Sequence, residues 1–157
     1  MNRRPGASRA RPAKPSSKIV ALTLSLPLAD TERLEQILKP WCALDALAGR
    51  HGTRQTFYPL ANAIALSGAL YSLGLEAEEK EAVITGSAAI AAAFRHAVAH
   101  SIWAIDLDIV PMLVKALEVF DRQLDQATRA QFQAAREFVA GRGSARAAAD
   151  ERLPRAA

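Results

Sequence analysis

The fold is decided by a nearly uncharged, alanine-rich stretch with the sequence AVITGSAAIAAAFRHAVAHSIWAI at residues 82–105. Its one formally charged residue is Arg95. Alanine is the strongest helix former and is depleted in β-strands. A helix that is apolar on all sides belongs in the interior of a protein. We therefore predict that this stretch forms a buried helix.

The remaining composition agrees with an all-α fold. The chain of 157 residues holds 34 alanines and nine aromatic residues, and 50% of its residues are hydrophobic. This length suits one domain with one core, and the alanine content favours close approach of helix backbones. The sequence therefore predicts a compact bundle of four to five helices over residues 30–140 and a flexible, frayed tail over residues 141–157.

Capping residues, prolines and glycines divide the bundle into helices. The first predicted helix spans about residues 30–48 and is interrupted or restarted at Pro40. Four more helices follow, at about residues 56–72, 76–102, 108–124 and 128–140.

Charge is distributed unevenly along the chain. Residues 1–18 hold six basic and no acidic residues, whereas residues 19–140 hold 10 basic and 14 acidic residues. The first segment has three prolines and almost no large apolar residue, so it cannot offset the entropy cost of ordering. We predict a disordered basic arm that binds nucleic acid by releasing counterions from phosphates. Its contact residues are Arg3, Arg4, Arg9, Arg11, Lys14 and Lys18. The alternative is a solubilising tail, or one that rests on the acidic domain of the same chain.

Residues 19–29 carry an apolar residue at every second position, from Val20 to Leu28. A period of two is typical of extended backbone, so we predict an extended segment that lies on the helices or pairs with its copy in a dimer. A basic stretch before an apolar run also resembles a secretory signal, but Pro27 stands where a small residue is expected. We therefore expect a cytoplasmic protein. The single cysteine, Cys42, cannot form a disulfide within the chain, and we expect it in the core.

A membrane-associated helical hairpin is an alternative interpretation of two uncharged runs, residues 57–75 and 82–94. An acidic link between the runs and a basic segment before them follow the positive-inside pattern. However, alanine, serine and glycine dominate both runs and gain little from transfer into lipid, and Arg95 follows the second run. We therefore consider membrane insertion the less favoured interpretation.

His96 and His100 are four residues apart, so a helix places both imidazoles on one face at a separation that suits one metal ion. Asp106, Asp108 or His51 could supply a third ligand. The zinc-protease motif is absent, because no glutamate follows the first histidine. A small metal-binding enzyme or sensor is therefore an alternative function. The simpler expectation is two partly buried histidines and no cofactor.

The predicted last helix carries Arg129, Gln133 and Arg136 on one face and follows another helix after a short turn. This is the outline of a helix-turn-helix, whose second helix contacts base edges or phosphates, although an ordinary solvated face explains the stripe equally well.

No phosphate loop, nucleophile elbow or paired-carboxylate motif occurs. The sequence therefore favours a non-enzymatic helical regulatory or adaptor protein, transcription-related, that binds nucleic acid through its arm and a protein partner or its own copy through the bundle.

Overall fold

The computed structural model describes residues 17–150, and it describes side chains over residues 21–143. The described residues form six α-helices and no β-strand. The all-α bundle is thereby confirmed, although it has more than the four to five helices predicted. The helices are α1 (Ser17–Ser25), α2 (Asp30–Ala48), α3 (Arg54–Ser72), α4 (Lys80–His100), α5 (Val110–Gln126) and α6 (Arg129–Asp150). Short 3-10 helices at Ala77–Glu79 and Leu107–Ile109 precede α4 and α5.

The central helix of the bundle is α3, which contacts α2, α4, α5 and α6. Its start is set by a capping box: Thr56 N donates to Thr53 Oγ1 at 3.2 Å, and Thr53 N donates to Thr56 Oγ1 at 3.2 Å. Phe57, Leu60 and Leu70 are completely buried along its length. The uncharged run at residues 57–75 is therefore explained by burial against other helices of the same chain.

The alanine-rich helix α4 lies at the edge of the bundle, which corrects the prediction of a helix buried on all sides. One side packs against α3 and α5, whereas Ile84 and Val98 on the other side are 54% and 55% exposed. By length and composition alone, Ala77–His100 could cross a membrane, and 39% of its most apolar window is buried in the bundle. Core helices pass the same test, so this observation is weak support for the membrane alternative. The buried residues of α4 are Val83, Gly86, Ala89, Ile90, Ala93 and Ala97.

The close approach of helix backbones expected from the alanine content is found between α4 and α5. A Cβ atom added at Gly86 would lie 2.4 Å from the Cβ of Ala116. Only the absence of a side chain at Gly86 allows this contact, because carbon atoms normally pack at about 3.5–4.0 Å.

The helix α1 replaces most of the extended segment that was predicted over residues 19–29, and it also includes residues 17 and 18 of the predicted arm. A helix satisfies its own backbone hydrogen bonds, whereas a lone strand needs a neighbour. In the described part of the chain, strand-like pairing is limited to one isolated bridge between Pro27 and Thr128. Next to it, Arg129 N donates to Leu26 O at 2.9 Å. Contacts with α6 hold α1 on the bundle.

Helix-breaking residues end fewer helices than predicted. The helix α2 continues through Pro40, which is buried, so the predicted interruption is wrong. The helix α6 continues through Gly141 and Gly143 to Asp150, where a flexible tail was predicted. A helical glycine costs about 1 kcal/mol relative to alanine, which is too little to end a helix among good helix formers. The last part of the predicted tail, residues 151–157, lies outside the described residues.

Candidate nucleic-acid interface

The basic arm joins the bundle at α1. Of its predicted contact residues, Lys18 belongs to α1, and the other five lie outside the described residues: Arg3, Arg4, Arg9, Arg11 and Lys14. The helix α1, which follows the arm, packs on α6, the helix that carries the predicted basic stripe.

The start of α6 is held by local and tertiary hydrogen bonds. Thr128 N donates to Gln131 Oε1 at 2.9 Å, and Gln131 N donates to Thr128 Oγ1 at 3.3 Å, which is a capping box. The bond from Arg129 N to Leu26 O ties the same turn to the segment that follows α1. The first turn of α6 is therefore fixed relative to α1, and its body packs on α3.

The structure brings Arg129, Gln133 and Arg136 together along one cavity of about 700 Å³ between α1, α2, α3 and α6. Arg129 is half-buried, whereas Gln133 and Arg136 are exposed. Arg129 Nε is buried and has no hydrogen-bond partner within the described residues. The predicted stripe is therefore a real shared face, although its first residue is partly enclosed.

Acidic residues line the same cavity and reduce its positive potential. Glu32 of α2 and Glu137 of α6 both contribute to the wall, and Gln133 Nε2 donates to Glu137 Oε1 at 3.0 Å. These carboxylates weaken the attraction of Arg136 for a phosphate without cancelling it. The recognition-helix role of the stripe stays a prediction, and these carboxylates reduce the positive charge that it offers to a phosphate.

Arg142 adds to α6 a cation that lies beyond the predicted stripe, because the helix was predicted to end at residue 140. Its guanidinium carbon lies 4.6 Å from the centroid of the Phe138 ring, in a cation–π geometry. Within the described residues, neither Arg142 nor Arg136 forms a salt bridge. The spacing of four residues between Phe138 and Arg142 was the signal that could have identified the pair.

The charged residues of α5 pair with α2 and with the segment before α4 rather than at this face. Arg122 of α5 donates to Glu76 Oε2 at 2.8 Å and to Glu79 Oε1 at 2.7 Å, and its hydrogen bond lowers the pKa of Glu76. Trp41 Nε1 donates to Asp121 Oδ2 at 3.0 Å, and burial raises the pKa of Asp121. In the same way, Asp125 pairs with Arg33 of α2. The acidic residues of α5 therefore serve mainly to attach neighbouring elements.

The paired histidines lie at the C-terminal end of α4. The ring centroids of His96 and His100 are 4.4 Å apart, and both residues are exposed, whereas partial burial was expected. No group of three histidine, cysteine, aspartate or glutamate residues that could hold a metal ion occurs in residues 17–150. The metal-binding alternative thus has two candidate ligands here and no third.

Cys42 is exposed on α2, which corrects the expectation of a core cysteine. The buried residues of α2 around it are Pro40, Ala43 and Leu44. Cys42 lies on the side of α2 that faces away from the core, because contacts with neighbouring helices decide which side of α2 is buried.

Comparisons of the chain with protein-family models, with curated proteins and with solved structures give no significant match. No activity or partner is therefore transferred from a relative. The chain's own residues carry the functional argument.

Proposed function

We propose that this protein is a non-enzymatic helical adaptor or regulatory protein of the cytoplasm that attaches to nucleic acid through its basic arm and α6. The arm supplies most of the attraction, and the exposed arginines of α6 extend the basic surface onto the folded domain. Attachment of this kind depends on phosphate contacts and carries little sequence specificity.

The packing of α1 on α6 is the observation that carries the proposal. It holds the helix at the end of the arm, which has six basic and no acidic residues, against α6. The helix α6 carries Arg136 on the side of α2 and Arg142 on the side of α4.

Salt dependence of binding tests the role of the arm. We compare the full chain with a variant in which the six basic residues of the arm are changed to glutamine, using a duplex of arbitrary sequence. The logarithm of the binding constant should fall with the logarithm of salt concentration by about 0.9 for each phosphate neutralised. We expect the variant to bind more weakly and its slope to be smaller by up to about five. Equal affinity and equal slope for the two proteins would contradict the proposal.

The contribution of α6 is tested by Arg136→Gln together with Arg142→Gln. We expect the slope to decrease by roughly 1–2. Lys80→Gln is the control for loss of one exposed positive charge outside α6, at the start of α4, and we expect little effect. A loss of binding to one duplex sequence but not to others would indicate base recognition instead.

A further inference from the structure

The exposed side of α4 carries a regularly spaced line of four apolar and two charged residues. Exposed residues recur along it at alternating spacings of three and four: Glu81, Ile84, Ala88, Ala91, Arg95 and Val98. We call these six residues the α4 seam. The same alternation defines the a and d positions of coiled coils, where it places residues in one line that faces a partner helix.

The seam is suited to close contact with another helix. Its two large apolar side chains, Ile84 and Val98, are each more than half exposed. Between them, Ala88 and Ala91 leave room for a second backbone to approach. Apolar side chains exposed in one line along a helix mark an interaction surface.

Two charges on the seam identify the partner. Glu81 and Arg95 are 14 residues apart in one helix, which is about 21 Å, so they cannot bind each other within one chain. Within the described residues, neither side chain forms a salt bridge. A parallel second copy would set Arg95 against Arg95 and Glu81 against Glu81. Such like-charge pairs oppose association.

An antiparallel second copy satisfies both charges. With a two-fold axis between Ala88 and Ala91, Ala88 of each copy lies opposite Ala91 of the other. Ile84 then lies opposite Arg95 of the second copy. Glu81 is about one helical turn from Ile84, so each Glu81 can pair with the Arg95 of the other chain. The two helices overlap over nearly the whole of Lys80–His100, with a self-complementary surface as a two-fold interface requires.

We propose that the protein forms a two-fold symmetric dimer in which α4 pairs antiparallel with α4 of a second copy through this seam. A lipid surface fits less well, because Glu81 and Arg95 both lie on the face that would enter it and charged groups are costly in lipid. The dimer carries two basic arms, which allows one nucleic acid to be held at two points. The dimer does not depend on nucleic-acid binding and is tested without it.

A charge exchange in the full chain tests the pairing, with the dimer dissociation constant measured by sedimentation equilibrium. For the unaltered protein we expect a monomer–dimer equilibrium, on the order of micromolar. Glu81→Arg and Arg95→Glu should each weaken the dimer about tenfold, because each places like charges across the interface. The double variant should return to within about threefold of the original. Because the two positions are too far apart to meet within a chain, recovery requires contact between copies.

Ala88→Glu and Ala134→Glu form a matched pair of controls, since both alanines are exposed on helices. We expect Ala88→Glu to abolish the dimer and Ala134→Glu to leave it unchanged, while circular dichroism reports folded protein in all cases. A protein that stays monomeric at every concentration would overturn the proposal. So would a double variant that fails to recover, or sedimentation of the protein with phosphatidylcholine vesicles regardless of the charge exchange.

Discussion

The same substitution, glycine to alanine, should have opposite effects at two positions in the middle of helices. At Gly68 in α3, an added Cβ would lie 3.9 Å from Val83 Cγ1, which is an ordinary van der Waals contact. At Gly86 in α4, it would lie 2.4 Å from the Cβ of Ala116. The first site has room for a methyl group, and the second has none unless α4 and α5 move apart.

The magnitudes follow from two terms. Alanine in place of glycine inside a helix contributes about 0.5–1 kcal/mol, and this gain is shared by both variants. At Gly86, the helices must separate by roughly 1 Å to reach normal carbon contact, and overpacking of this kind costs about 1–3 kcal/mol. We therefore expect Gly68→Ala to raise the free energy of unfolding by about 0.5–1 kcal/mol. Because the shared gain cancels, Gly86→Ala should be about 1–3 kcal/mol less stable than Gly68→Ala.

Urea unfolding measures both values. Far-UV circular dichroism follows the helices, and the fluorescence of Trp41 and Trp103 tests whether the transition is two-state. Ala116→Gly in the Gly86→Ala background restores the missing space, so its cost should be smaller there than in the unaltered chain. A Gly86→Ala protein that is as stable as the Gly68→Ala protein would refute the close α4–α5 contact.

Three further predictions concern single polar contacts. Thr53→Ala removes the capping box of α3 and should lower the free energy of unfolding by about 1 kcal/mol, whereas Thr31→Ala at an exposed position of α2 should have little effect in the same urea titration. Gln123 is fully buried and donates to Ser67 O at 3.2 Å and Leu75 O at 3.3 Å. Gln123→Met keeps the volume but leaves both carbonyls without this donor, so it should cost about 1–3 kcal/mol by chemical denaturation; an unchanged midpoint would contradict this role. Burial raises the pKa of Asp121, so the folded state favours the protonated carboxyl group. The stability that the protonated Asp121 contributes is therefore lost as the pH rises through its pKa in the folded protein. Asp121→Asn keeps an oxygen that accepts from Trp41 Nε1, so the variant should be more stable than the unaltered protein at neutral pH. The difference in the free energy of unfolding should shrink in acid. An equal difference at neutral and acidic pH would exclude titration of Asp121 as the cause.

Helix class and several helix ends could be predicted from the sequence because their causes are local. Alanine content favours helix wherever the chain lies, and the prediction for α3 began within two residues of its observed start at Arg54. Gly49 follows α2 as expected. Caps and prolines act through neighbouring backbone groups, so they can be recognised without knowledge of the fold.

The local signals failed where neighbouring elements decide the structure. The alternating leucines of residues 19–29 indicated an extended segment, but α1 forms and lies on α6. Gly141 suggested a helix end, but the helix continues to Asp150. In both cases the local preference is worth about 1 kcal/mol or less, and tertiary context or flanking helix formers can outweigh it.

The candidate nucleic-acid interface also has features that local sequence predicts and features that only tertiary packing decides. The basic arm and the stripe of Arg129, Gln133 and Arg136 were visible in the sequence, because net charge and helical spacing are properties of the chain itself. The packing of α1 on α6 was not visible, because it depends on tertiary contacts between residues more than a hundred positions apart.

The sequence by itself determined that this protein is helical, that its first residues are basic and that its helices carry very little aromatic surface. Only the tertiary structure decided that α3 is the centre of the bundle and that α4 lies at its edge with an apolar side exposed. Alanine is the physical reason: it promotes helix strongly but gains little from burial, so its pattern specifies that a helix forms without specifying which side faces the core.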